Sequence, residues 1–201
     1  MKKLIYILLT ALISVHALEN VEINGFVRNY SGILTGGDNE FSVIQNTFSL
    51  DFRKKAERIG FLVSPYLKHY MNDSLELNLK EAYIDMYFND FDIRIGKQQI
   101  IYGKAEGIFI TDVVSPKDLS EFILPEFDEV RIGVTSAKLS YYKGAGIFEL
   151  TWVPVFTPNT LPDASSIWMP PVPAFPVIPV FDHSDTDVGK KIENGEIFAR
   201  Y

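Results

Sequence analysis

The sequence predicts an all-β protein: an antiparallel sheet of about eight strands, read as a transmembrane β-barrel or part of one, with a short helix and a long proline-rich loop. Three observations carry that prediction. Apolar and polar residues alternate with period two in one segment after another. The alternating segments run to about 10 residues, longer than the five or six of an ordinary strand. The chain also opens with an export signal.

Lys2 and Lys3 form the charged start of that signal, residues 4–15 its apolar stretch, and Val15-His16-Ala17 the small-residue pattern that precedes cleavage. Residues 1–17 are therefore expected to be removed on export from a bacterial cell, leaving residues 18–201 as one domain. The apolar stretch is about 12 residues, short of the roughly 20 that a helix needs to span a bilayer. Losing Lys2 and Lys3 from the 19 basic residues leaves 17 against 26 acidic ones, a net charge of -9 that argues against a nucleic-acid partner. Cysteine is absent, which removes disulfides, thiolate metal sites and cysteine nucleophiles from consideration.

The elements follow in order. Val21, Ile23 and Val27 alternate with Glu22, Asn24 and Arg28, and Phe48, Leu50 and Phe52 alternate with Thr47, Ser49, Asp51 and Arg53. Residues 59–70 make a less regular third strand carrying Pro65. Residues 81–88 alternate most sharply and pair as a hairpin with residues 91–103 across the turn "NDFD". Further strands are expected at 129–142 and 145–156, joined by "KGAG", and from about Gly195 to Tyr201. The alternation changes phase near Leu79 and near Ser136, which predicts a β-bulge or a strand boundary at each place.

Two stretches break the pattern. Ser115 followed by Pro116 has the form of a helix N-cap and first turn, predicting a short helix to about Phe122. Residues 154–188 hold eight of the 11 prolines and exclude a central strand.

Alternation alone leaves two architectures open: a soluble sandwich with a dry core, and a barrel whose apolar face meets lipid and whose polar face lines a lumen. The export signal and the strand length favour the barrel. So do aromatics near strand ends, where an interfacial girdle would sit: Tyr30, Phe41, Tyr70, Phe88, Phe91, Tyr102, Tyr141 and Tyr142.

The stretch "EAYIDMYFNDFDIRIGKQQIIYGKAEG" followed by "DVVSPKDL" resembles the large group of Gram-negative outer-membrane β-barrels that includes porin-like channels and a related uncharacterised family of long barrels. Gly96-Lys97-Gln98 and Gly103 match that group's Gly-Arg/Lys-Gln-x-x-x-Trp-Gly pattern, with Tyr102 where tryptophan is usual. Ser115-Pro116-Lys117-Asp118 stands where Asn-Pro-x-Asp is usual. The resemblance spans about residues 75–165, and "WVPVFTPNTLP" fits the strand exit that follows. It implies a porin-like channel for passive passage of small solutes, held in outer-membrane lipid and inserted by the outer-membrane assembly machinery. Homo-oligomerisation stays open. Members of the group are about twice this length, and wide channels use about 16 strands, so the chain is expected to be the N-terminal portion of a longer barrel.

On this reading Arg28, Glu81, Tyr83, Asp85, Arg94, Gln98 and Arg131 project into a lumen, where opposed carboxylates and guanidiniums would set a transverse field. Asp112, Lys117 and Asp118, in the capped turn, would form a constriction or mouth. Glu81 and Asp85 have ordinary strand spacing rather than a glycosidase arrangement, and His69 and His183 have no ligand-spaced partner. No catalytic residue, metal site, cofactor or enzyme activity is expected. The alternative is an exported binding or structural β-protein that uses the proline-rich loop to contact a partner or a hydrophobic ligand.

Overall fold

The structure is a computed structural model that describes residues 20–33, 35, 41–103, 112–121, 124–162, 166–168 and 191–201. The export signal, His183, most of the proline-rich stretch and the side chain of Phe41 lie outside them. The described residues form one antiparallel sheet of eight strands: β1 (Glu22–Ile33), β2 (Phe41–Lys55), β3 (Ile59–Tyr70), β4 (Leu75–Tyr87), β5 (Phe91–Gln98), β6 (Val134–Lys143), β7 (Gly146–Val153) and β8 (Glu196–Arg200). Each strand pairs with the next in sequence, so the sheet is a simple meander. The sheet is not closed: β1 bonds only β2, and β8 bonds only β7.

Because successive strands run in opposite directions, the connections sort by end. Residues 56–58, 88–90 and 144–145 turn the chain at one end, and residues 34–40, 71–74, 99–133 and 154–195 connect it at the other. In the turn after β4 the Phe88 amide donates to the Phe91 carbonyl at 3.0 Å. After β6, Gly144 takes the left-handed conformation (φ 59°) that a two-residue connection requires.

Residues opposite each other in a ladder share a face, so the register assigns every side chain to one of two surfaces. Asp85 lies opposite Arg94, Thr47 opposite Arg28, and Ser140 opposite Glu149 on the inward surface. Ile84 lies opposite Ile95, Phe48 opposite Val27, and Leu150 opposite Leu139 on the outward one. Burial runs against the usual rule. The polar side chains Thr47, Ser64, Gln98, Ser136 and Thr151 are all 4% exposed or less, while Val27 is 76%, Leu77 77% and Ile197 72% exposed.

The phase change near Leu79 is a β-bulge. Ser64 pairs with Glu81 but Pro65 pairs with Leu79, which leaves Lys80 as the extra residue of β4. One residue of slip would otherwise move a strand's apolar set to the opposite surface. The bulge keeps Leu75, Leu77 and Leu79 on the same outward surface as Ala82, Ile84 and Met86. The change near Ser136 is instead a boundary: β6 starts at Val134, and its ladder with β5 is continuous through Ser136.

The structure corrects the expected helix and the extent of two strands. Among the described residues no α-helix follows Pro116; the one helical turn is a 3-10 turn at Ile192–Asn194. The backbone around Pro116 instead finds partners far along the chain. The Asp118 amide donates to the Val130 carbonyl at 2.7 Å, the Ile132 amide to the Pro116 carbonyl at 2.8 Å, and the Leu119 amide to the Thr160 carbonyl at 2.8 Å. Ser115 is not a cap, because its hydroxyl accepts the Ile100 amide at 2.8 Å. The strands expected at 91–103 and 129–142 are also shorter, ending at Gln98 and beginning at Val134. Residues 99–133 thus form an insert between β5 and β6, and its described part lies on the inward surface. A small apolar core of Ile100, Val114, Val134 and Val153 anchors it there, with Tyr102 and Phe198 packed alongside.

Gly96 marks a close approach within the sheet. It has φ 137°, and a Cβ placed on it would lie 2.3 Å from the Ala82 carbonyl oxygen and 2.7 Å from the Tyr83 Cα. Gly96→Ala is therefore expected to destabilise the folded protein by about 1 to 3 kcal/mol, the range of a strained backbone position. Urea titration in detergent checks this, and an unchanged midpoint would rule the strain out.

Candidate functional site

Most of the charged residues singled out in the sequence lie on the inward surface or in the insert that covers it, and each has a bonded partner there. Arg94 donates to both oxygens of Asp85, from Nε to Oδ1 at 2.6 Å and from Nη2 to Oδ2 at 3.0 Å. The guanidinium lies 3.8 Å from the centre of the Tyr83 ring, a cation–π contact. Tyr83 itself stands opposite Gly96, covering the space that a side chain would fill. Gln98 is fully buried and donates to the Ser136 carbonyl at 3.2 Å. The Glu81 carboxylate accepts the Gln99 amide at 2.8 Å, at the point where the chain leaves β5. A second cluster on β6 to β8 escaped the sequence reading: Glu149 accepts from Lys138 at 3.5 Å, from Ser140 at 3.3 Å, and from Arg200.

Arg131 and Asp112 are not strand residues. They form one buried pair inside the insert, with side chains 5% and 0% exposed. Arg131 donates to Asp112 Oδ2 from Nε at 2.9 Å and from Nη2 at 2.5 Å. Asp112 Oδ1 accepts the backbone amides of Tyr102 at 2.9 Å and Gly103 at 2.6 Å. One carboxylate thus ties the start of the insert to its end. Burial alone would push this carboxyl up, but the two amides and the guanidinium outweigh it and hold it below the usual carboxylate range.

Lys117 and Asp118 do not present a matched pair of free charges. The Lys117 ammonium donates to the carbonyls of Asp112, at 3.0 Å, and Ser115, and burial lowers its pKa despite the nearby carboxylate. Asp118 caps a local turn, accepting the Ser120 amide at 3.0 Å and the Ser120 hydroxyl at 2.6 Å. His69 sits on the outward surface beside Asp73, its Nε2 3.4 Å from Oδ1. Among the described residues no group of three or more His, Asp or Glu side chains is arranged to hold a metal.

Three ion pairs join the insert to the first half of the sheet. Arg28 of β1 reaches Glu129 at 2.7 Å, Lys68 of β3 reaches Glu121 at 3.0 Å, and Lys80 at the bulge reaches Asp128 at 2.9 Å. Gln45 of β2 also donates to Glu121. Lys80 holds the Asp128 carboxyl below its ordinary range although burial acts the other way. Between sheet and insert lies a cavity of about 340 Å³. Its sheet wall carries the cations and its insert wall most of the carboxylates.

Of this constellation the sequence reading found only Arg28 and Asp118. The available signal was compositional: Glu121, Glu126, Asp128 and Glu129 fall within nine residues of the insert, while Arg28 and Lys68 stand singly on the polar faces of their strands. No family model, no curated protein and no solved structure matches the chain.

The Asp112 pin makes a pH prediction. A carboxyl held below its unfolded value contributes stability that is complete above about pH 4 and lost as pH falls through the folded value. Hydrogen exchange at the Tyr102 and Gly103 amides of detergent-folded protein is expected to accelerate on acidification below that point. In Asp112→Asn this acid dependence should flatten, with the insert weakened at neutral pH by about 3 to 5 kcal/mol because a buried guanidinium loses its counter-charge. Identical pH profiles in the two proteins would contradict the role given to Asp112.

Proposed function

We propose that this chain forms the wall, or part of the wall, of an outer-membrane porin-like channel through which small solutes pass without chemistry. The observation that carries the reading is the inverted sheet, with hydrocarbon exposed on one surface and polar groups buried on the other. Such a surface is unfavourable in water and suited to lipid. The resemblance of residues 75–165 to Gram-negative barrels points the same way.

Three further features support it. The turns at one end of the sheet are two or three residues long and the connections at the other end are longer, the asymmetry of outer-membrane barrels. Aromatic side chains gather at the short-turn end, where Phe88 and Phe91 stack with centroids 4.5 Å apart and Phe91, Tyr141 and Phe148 follow one another across the ladder. The girdle is narrower than the sequence implied, because Tyr30 lies under Arg28, Tyr70 bonds Glu76 and Tyr102 lies under Arg200, all inward. Strand length also fits: the 13 residues of β4, at about 3.3 Å each and tilted near 45°, cross roughly 30 Å.

A wall of this kind has a structural requirement. In lipid the open edges of β1 and β8 must be paired, since unsatisfied backbone groups are not tolerated there. An eight-stranded barrel fills its interior with side chains, and here the insert occupies that space. The closed wall of the proposed channel therefore contains more than these eight strands. Small solutes would pass along the inward surface, between the insert and the rest of the wall, in a transverse field set by the opposed charges.

The test compares the two surfaces. Ile84→Arg, on the outward surface, is expected to cost about 2 to 4 kcal/mol on folding into bilayers. Ser49→Arg, on the inward surface beside the cavity, should be tolerated better and should lower single-channel conductance in planar bilayers. Equal destabilisation by both changes, or no conductance from the closed wild-type barrel, would overturn the proposal.

A further inference from the structure

The cavity between the sheet and the insert has an unbalanced inventory. It is lined by three basic side chains, Arg28, Lys68 and Lys80, and by six acidic ones. Each base is already paired with one acid of the insert, Glu129, Glu121 or Asp128. The other three, Asp51, Asp118 and Glu126, have no ion-pair partner among the described residues. On the sheet wall, which also carries Asp51, two polar atoms are buried with nothing bonded to them: the Nε of Arg28 and the hydroxyl of Thr47. Thr47 is 4% exposed, lines the cavity, and stands directly across the ladder from Arg28.

These needs are complementary. An Nε–H only donates, and a threonine hydroxyl donates or accepts, so one acceptor oxygen would partner both atoms. The three remaining carboxylates have no ion pair of their own, although Asp118 accepts from Ser120 and Glu126 lies within the field of Arg28. Leaving the buried Nε and hydroxyl unpaired is unfavourable, and a ligand oxygen that partners them removes that penalty, while the half-buried or exposed carboxylates attract its positive charge. The cavity is also lined by Phe26 and Tyr66, whose rings already hold Arg28 and Lys68 at 4.9 and 5.9 Å from their centres. Its volume of about 340 Å³ is at the small end of ligand pockets.

Building on the channel reading, in which this surface is wetted, we infer that the cavity is a binding site for a small organic cation: a solute with an ammonium group for Asp51, Asp118 and Glu126 and a hydroxyl or carbonyl oxygen for Arg28 and Thr47. Amino sugars and amino alcohols have this chemistry. Neutral sugars satisfy only one wall, and anionic solutes are repelled by the acidic excess.

D-Glucosamine tests this against its uncharged N-acetyl derivative, with binding to the full chain folded in detergent measured by titration calorimetry. Glucosamine is expected to bind at least tenfold more tightly. Asp51→Asn should reduce that preference several-fold. Thr47→Val should weaken glucosamine by about fivefold to tenfold, and Thr47→Ser, which keeps the hydroxyl, should restore it. Equal affinity for the two sugars, absence of binding by a folded protein, or indifference to Thr47→Val would overturn the inference and indicate that water satisfies these groups. Because binding is read without current, a conducting protein that binds neither sugar removes the site and leaves the channel. A protein that binds glucosamine but never conducts does the reverse.

Discussion

Every strand in this protein turns hydrocarbon away from the insert and polar groups toward it, and the rest of the architecture depends on that inversion. A soluble sheet hides its apolar face against a second layer. Here no second layer covers the apolar surface among the described residues, and the covered surface is the polar one. The bulge at Lys80 has its purpose in this setting. It preserves one continuous apolar surface along β4 where strict alternation would have split it. The same constraint accounts for Lys97, which lies among outward residues yet sends its ammonium 2.6 Å from the Leu79 carbonyl beside the bulge.

Burying a polar surface requires partners, and the insert supplies them. Asp112 and Arg131 close the insert on itself, and the pairs from Arg28, Lys68 and Lys80 fasten it to the sheet. The two kinds of contact differ in strength. The Asp112 pair is dry and has four donors on one carboxylate, so it holds a fixed geometry. The three pairs at the cavity are partly exposed and individually weak, as the proposed solute path would require. Strong and weak anchoring thus fall to different residues of one segment.

The sheet was legible in the sequence because period-two alternation is a local property. All eight strands, the turns at "NDFD" and "KGAG", and even the bulge left readable traces in it. What the sequence concealed is non-local. Ser115-Pro116 has the form of a helix start, yet hydrogen bonds to Val130, Ile132 and Thr160 outcompete the helix. Arg131 looked like a strand residue because its apolar neighbours alternate, but its guanidinium turns to Asp112, 19 residues earlier. Tyr30 and Tyr102 looked like girdle residues by their position near strand ends, and only the ladder register and the arginines above them reveal that they face inward. The cavity could not be read at all, since its two walls come from segments up to about a hundred residues apart in the chain, as Arg28 and Glu129 are.

The most direct measurement uses the two tryptophans of the chain. Trp152 lies on the outward surface of β7, opposite Ala137 and Ile197, and is 47% exposed. With Trp168 replaced by Phe, the fluorescence of Trp152 in the folded protein can be followed in vesicles of brominated phospholipid. If the apolar surface faces lipid, bromine placed on the acyl chains quenches Trp152 strongly, and acrylamide in the water does not. Quenching by acrylamide with no response to bromolipid would mean that this surface meets water or another protein, and the membrane reading of the sheet would fall.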